Sequence, residues 1–74
     1  MIKPGKYRHY KGGLYEVIGM AHHSETLEPM VVYKALYHSE GFGDEALWVR
    51  PVQMFEEYIM VNGETIQRFS LCEE

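Results

Sequence analysis

The chain has 74 residues, a formal net charge of −4 and a single cysteine, Cys72. That length suits one domain over residues 1–74 with a thin core, and a lone thiol excludes an internal disulfide and fits the reducing cytoplasm, the expected location. The start lacks the apolar core of a leader and no apolar run reaches spanning length, so no membrane partner is expected; the acidic balance argues against nonspecific nucleic-acid binding.

In chain order, "YRHY" at 7–10 and "LYEVIGMA" at 14–21 are rich in β-formers and flank the Gly12-Gly13 pair, which predicts a hairpin. Gly19 inside the second run predicts a bulge or sharp bend. The polar stretch "AHHSETLEP" at 21–29 predicts an ordered turn, because Ser and Thr hydroxyls bond nearby backbone amides. "MVVYKALY" at 30–37 alternates, placing Val31, Tyr33, Ala35 and Tyr37 on one face of a strand. Its Val-Val-Tyr start and the preceding Pro29 outweigh the helix formers Lys34 to Leu36.

"HSEGFGDEA" at 38–46 reads as a loop. "LWVR" is a short strand with Trp48 and Arg50 on one face, Leu47 and Val49 on the other, ended by Pro51. "PVQMFEE" reads as one helical turn with Val52 and Phe55 on the same side. "YIMV" and "TIQRF" flank Asn62-Gly63, a strong hairpin signal. The folded core is expected over about 5–69, with 70–74 a frayed tail. Five or six closely spaced strands and one short helical turn make the chain mostly β. They predict a small, strongly bent antiparallel sheet or an SH3-like barrel.

The blocks "YRHYKG", "HSET" with its "LEP" tail, "VVYKALY" and "WVRPVQMF" fall in order along the chain. From about Gly5 to Phe69 the sequence resembles the DUF1653 family of short bacterial proteins, whose function is not established. The resemblance implies a compact bacterial domain and supplies no reaction, cofactor or site residue. The stretch "HSEGFGDEA" is longer than the family's pattern.

Read from the residues themselves, the chemistry is sparse. His22 and His23 are adjacent, so on a strand they point to opposite faces, and no HxH or HxxxH spacing is present. No metal or other cofactor is therefore expected. The catalytic candidates are His22 as general base and Glu25 as its orienting partner, with Ser24 or Thr26 near a substrate. Such a trio needs a water-excluding pocket and donors for developing charge, which a small barrel rarely offers.

A non-catalytic binding module fits better, because the aromatic residues outnumber what so small a core can bury. The expected contact surface is Tyr33, Trp48 and Arg50, rimmed by His22, Ser24, Glu25 and Arg8. Aromatic and Arg clusters are what seat partners on small sheets, so the partner is a protein or a small ligand. The plainer alternative has Trp48 closing one end of a barrel and Arg50 paired with Glu56 or Glu57. A ligand-sensing domain or small enzyme built on His22 and Glu25 stands second. A nucleic-acid accessory surface of Lys3, Lys6, Arg8 and Lys11 with Tyr7 and Tyr10 stands third, disfavoured by the overall acidity. An open sheet edge would make the chain a monomer or a weak homodimer.

Overall fold

The computed structural model describes residues 2–72. Along the chain the elements are β1 (Gly5–His9), β2 (Leu14–His22), β3 (Pro29–Ala35), β4 (His38–Ser39) and β5 (Gly43–Asp44), followed by β6 (Leu47–Pro51), α1 (Val52–Phe55), β7 (Tyr58–Val61), β8 (Glu64–Gln67) and β9 (Phe69–Leu71). The main sheet runs β6-β3-β2-β1-β9, and every neighbouring pair is antiparallel. β6 and β9 are its two edges and do not pair with each other, so the sheet is bent but not closed into a barrel.

The bend has a local cause. β2 and β3 pair at Val17 with Tyr33, and then the register jumps to Gly19 with Val32. Ile18 is the extra residue, and a one-residue bulge curls the strand and increases its twist. Gly19 sits at that corner, as the sequence predicts.

Register then sorts the side chains. Tyr7 lies opposite Tyr15, Tyr15 opposite Ala35, Val17 opposite Tyr33, and Tyr33 opposite Trp48. Directly paired residues share a face, so these rings all belong to the inner face. Tyr7, Val17, Val31, Tyr33 and Phe69 are buried there. The single turn α1 adds Phe55, whose ring stacks on Phe69 at 4.2 Å between centroids and meets Tyr7 and Tyr33 edge-on. Val52 on the same side packs against this cluster. Both ring arrangements are favoured aromatic geometries and add to the burial of large rings.

Four expectations need correction. The third strand ends at Ala35, so Tyr37 lies beyond it, 41% exposed. The stretch 38–46 is not a plain loop. It folds as the two-residue strands β4 and β5, with His38 Nδ1 2.7 Å from Asp44 Oδ1 across the pair. The run "TIQRF" is broken at Arg68: Gln67 ends β8, which pairs only with β7, while Phe69 begins β9, which pairs with β1. Arg68 is held at this break by its N–H donating to the Glu57 carbonyl and its Nε–H to Glu57 Oε1. Finally, Ser70 and Leu71 are not frayed, since they pair with Arg8 and Tyr7, and the Cys72 N–H donates to the Lys6 carbonyl. The rest of the expected tail, residues 73 and 74, lies outside the described residues.

The Asn62-Gly63 turn is as expected. Both residues take positive φ, 52° and 81°, the pattern of a type I′ hairpin turn.

Candidate functional site

Tyr33 on β3, Trp48 and Arg50 on β6, and Tyr15 on β2 line one open groove of about 210 Å³. Strand alternation builds it. Trp48 is directly opposite Tyr33, and Arg50 follows two residues later on the same face. Because β6 is an edge, nothing beyond it pairs with the strand, and the Trp48 ring is 37% exposed. Phe42, from the β4–β5 turn, meets the Trp48 ring edge-on at 4.9 Å.

Arg50 is half-buried and sits in an aromatic frame. Its Nε–H donates to the Tyr33 hydroxyl at 3.3 Å, and its guanidinium lies 5.6 Å from the Phe69 ring centre. Among the described residues no carboxylate comes within ion-pair distance of it. The alternative pairing with Glu56 or Glu57 is not made: Glu57 pairs with Arg68 instead, and Glu56 forms no ion pair among the described residues.

Tyr15 joins two walls. Its ring meets Tyr33, Tyr37 and Phe69 edge-on, and its hydroxyl shares a hydrogen bond with the Tyr37 hydroxyl. Burial pushes the Tyr15 hydroxyl well above the ordinary phenol range. The bond to Tyr37 and the nearby Tyr37 and Tyr33 phenols add to the rise, while the Arg50 charge opposes it. His9, on β1, shifts the other way. Burial lowers it, and the charges of Arg68, Arg50 and Lys11 lower it further.

The remaining candidates lie elsewhere. His22 ends β2, and Ser24 and Glu25 sit in the turn before β3; all three are exposed and none lines the groove. Within that turn the His23 N–H donates to the Glu28 carbonyl and the Leu27 N–H to the His23 carbonyl. The His23 ring Nδ1 accepts the Glu25 and Thr26 N–H groups. Ser24 Oγ donates to Glu25 Oε2, and Thr26 Oγ1 accepts from the Glu28 N–H. Glu25 is thus bonded to Ser24 and not to His22. Neither histidine faces the core, and His23 is the one that organises the turn. Arg8 neighbours the inward Tyr7 and lies opposite Leu14 and Ser70, which puts it on the outer face, away from Trp48.

Tyr7, expected as a possible base-stacking ring, is buried with its hydroxyl donating to the Lys3 carbonyl at 2.9 Å. Among the described residues no group of three or more His, Cys, Asp or Glu side chains is placed to hold a metal ion. A second cleft of about 470 Å³ opens between α1 and the β7–β8 hairpin, walled mainly by the core rings Tyr7, Phe55 and Phe69 and by Tyr58.

Reasoning from the sequence placed Tyr33, Trp48 and Arg50 together and missed Tyr15. Tyr15 was legible in principle, since alternation through Val17 puts it on the buried face. Tyr37 was read onto the Tyr33 face, but its contact with Tyr15 was not legible, because it is made after the chain leaves the strand.

Fold and groove define a small, mostly-β domain with one bent antiparallel sheet and an aromatic-walled, arginine-bearing groove at its edge. The chain belongs to the DUF1653 family, described as proteins of unknown function, whose profile matches residues 5–71. It is similar to a crystallised protein of that family from Bordetella bronchiseptica, at 34% identity and a TM-score of 0.86, over 96% of this chain and 87% of that one. No curated protein matches the chain.

Proposed function

We propose that this chain is a small, non-catalytic binding module of the bacterial cytoplasm that seats its partner in the groove of Tyr15, Tyr33, Trp48 and Arg50. The observation that carries the reading is Arg50: a half-buried cation with no carboxylate partner among the described residues, held by Tyr33 beside an exposed Trp48 on an edge strand. Trp, Tyr and Arg side chains in one concavity are the residues that dominate binding energy at interfaces, and here the Trp48 side chain is exposed while Tyr15 and Arg50 are half-buried. An SH3-like description is supported by the strand order, the bulged second strand and the helical turn that precedes the closing strands. The bacterial assignment is supported by the similar Bordetella protein.

Capture from a bacterial lysate by wild type and by a Trp48→Ala, Arg50→Gln double variant tests it, with circular dichroism to confirm that the variant keeps its strands. The double variant is expected to lose the captured partner. Capture that is unchanged in a folded double variant refutes the groove as the contact surface.

A further inference from the structure

The groove also says what kind of group it accepts. Its polar side chains all carry donors, and most of those donors are unused among the described residues. The Tyr33 oxygen accepts from Arg50 Nε, and its own O–H proton has no acceptor among the described residues. Arg50 uses only that Nε–H, and its remaining guanidinium N–H groups bond to nothing among the described residues. The Trp48 indole N–H is a donor only and meets no acceptor among the described residues either. Tyr15 and Tyr37 share one hydrogen bond, so one of their two O–H protons is also unassigned. Among the described residues no carboxylate lines the groove.

A site made of unspent donors around a cation calls for an acceptor-rich anion. Arginine's fork matches two oxygens of one carboxylate or phosphate, and a hydroxyl that already accepts a charged donor is polarised toward donating. The opposite reading is an aromatic cage for an ammonium ion, which uses ring faces to attract a cation. A guanidinium inside the cage repels such a guest, so the arginine decides the sign. The rings of Trp48 and Tyr15 add flat apolar walls, and the space holds about seven waters' worth of ligand. We infer that the groove binds a small oxyanion, phosphate or carboxylate, carried on a flat ring, with Arg50 and the Tyr33 hydroxyl on the oxygens and Trp48 against the ring.

This rests on the groove being the binding site, and the test separates the two statements. Full-length protein labelled with nitrogen-15 is titrated by NMR, at low salt and without phosphate buffer, with phenyl phosphate, benzoate, phenol and benzyltrimethylammonium. Phenyl phosphate, benzoate or both are expected to move the Trp48 indole and Arg50 Nε signals saturably, and which of them binds tighter tells phosphate from carboxylate. Arg50→Gln is expected to weaken that binding roughly tenfold or more, and Arg50→Lys, which keeps the charge but loses the fork, by less. If phenol or the ammonium compound moves the groove signals as strongly as the anions do, the oxyanion inference fails while the groove remains a binding site. If none of the probes moves them, the inference and the groove reading fall together. The comparison among probes uses the wild-type chain, so it stands even if an Arg50 variant does not fold.

Discussion

Arg50 Nε–H donates to the Tyr33 hydroxyl across the β3–β6 pair, although the residue directly opposite Tyr33 is Trp48. The bond is a diagonal one, reaching back along the edge strand, and it pins a cation against the inner face. Arg50 also faces the Phe69 ring. Replacing it with Gln removes a charge-assisted hydrogen bond and a cation–π contact and strands no buried carboxylate. The expected loss is about 1 kcal/mol of folding stability, read by urea denaturation. A loss near zero means that solvent competes away both contacts.

Phe55 is the largest contribution of α1 to the core, 2% exposed and stacked on Phe69. Phe55→Ala is expected to cost about 3–5 kcal/mol, a large share of what a domain of this size has. Guanidinium unfolding monitored by Trp48 fluorescence checks it. A cost under about 1 kcal/mol would contradict the stacked core.

Tyr15 makes stability fall at high pH. Burial raises its folded-state pKa above the ordinary value near 10. Above about pH 10 the unfolded chain gives up this proton and the folded chain keeps it, so alkali favours unfolding. The contribution is full below that pH and disappears as pH rises through the folded-state value. Tyr7, raised mainly by burial, acts in the same direction. Thermal melts in steps upward from pH 8 are expected to show a falling midpoint, less steep in Tyr15→Phe. An identical slope in that variant would remove Tyr15 as the cause.

His9 works from the acid side. Burial first, and then Arg68, Arg50 and Lys11, depress its folded-state pKa below the ordinary 6.5. Its Nδ1 also accepts the Lys11 N–H, which only the neutral ring can do. The unfolded chain therefore takes up a proton first. Stability that is present above about pH 6.5 declines as pH falls toward the folded-state value. An NMR titration of the His9 ring should give a midpoint below those of exposed histidines in unfolded peptides. A bound oxyanion at Arg50 should move that midpoint upward.

Gly63 holds φ +81° with open space around the position a Cβ would take. Gly63→Ala therefore costs backbone strain alone, about 1–2 kcal/mol. The β7–β8 hairpin pairs with no other strand, so the cost is expected locally. Amide exchange should quicken over 58–67, with a smaller change in the protection of β1 to β3.

Much of this architecture was legible because alternation is a property of the strand itself. Val31, Tyr33 and Ala35 are buried as their spacing dictates, and Trp48 with Arg50 follows the same rule. Asn62-Gly63 adopts the turn its two residues prefer, and Gly19 marks the corner. The polar stretch 21–29 was legible as a turn, though not the choice of His23 over His22 as its organiser. That choice follows from which ring nitrogen reaches the amides of Glu25 and Thr26. The break at Arg68 left no local mark, because "TIQRF" is a good strand throughout. Pairing partners far apart in the chain divide it.

The sequence by itself determined a mostly-β fold, most of its turns and the inward faces of its strands, since these depend on neighbours a few residues away. Tertiary structure alone decided that the sheet stays open, with β6 and β9 as separate edges. It also decided that Tyr15 and Tyr37 meet, that Arg8 lies behind the sheet and that Arg50 has no acid beside it among the described residues. Each of these is a distance between residues far apart in the chain. Register and the bulge at Ile18 set those distances, and a one-residue shift in either would turn the groove's side chains to the opposite face.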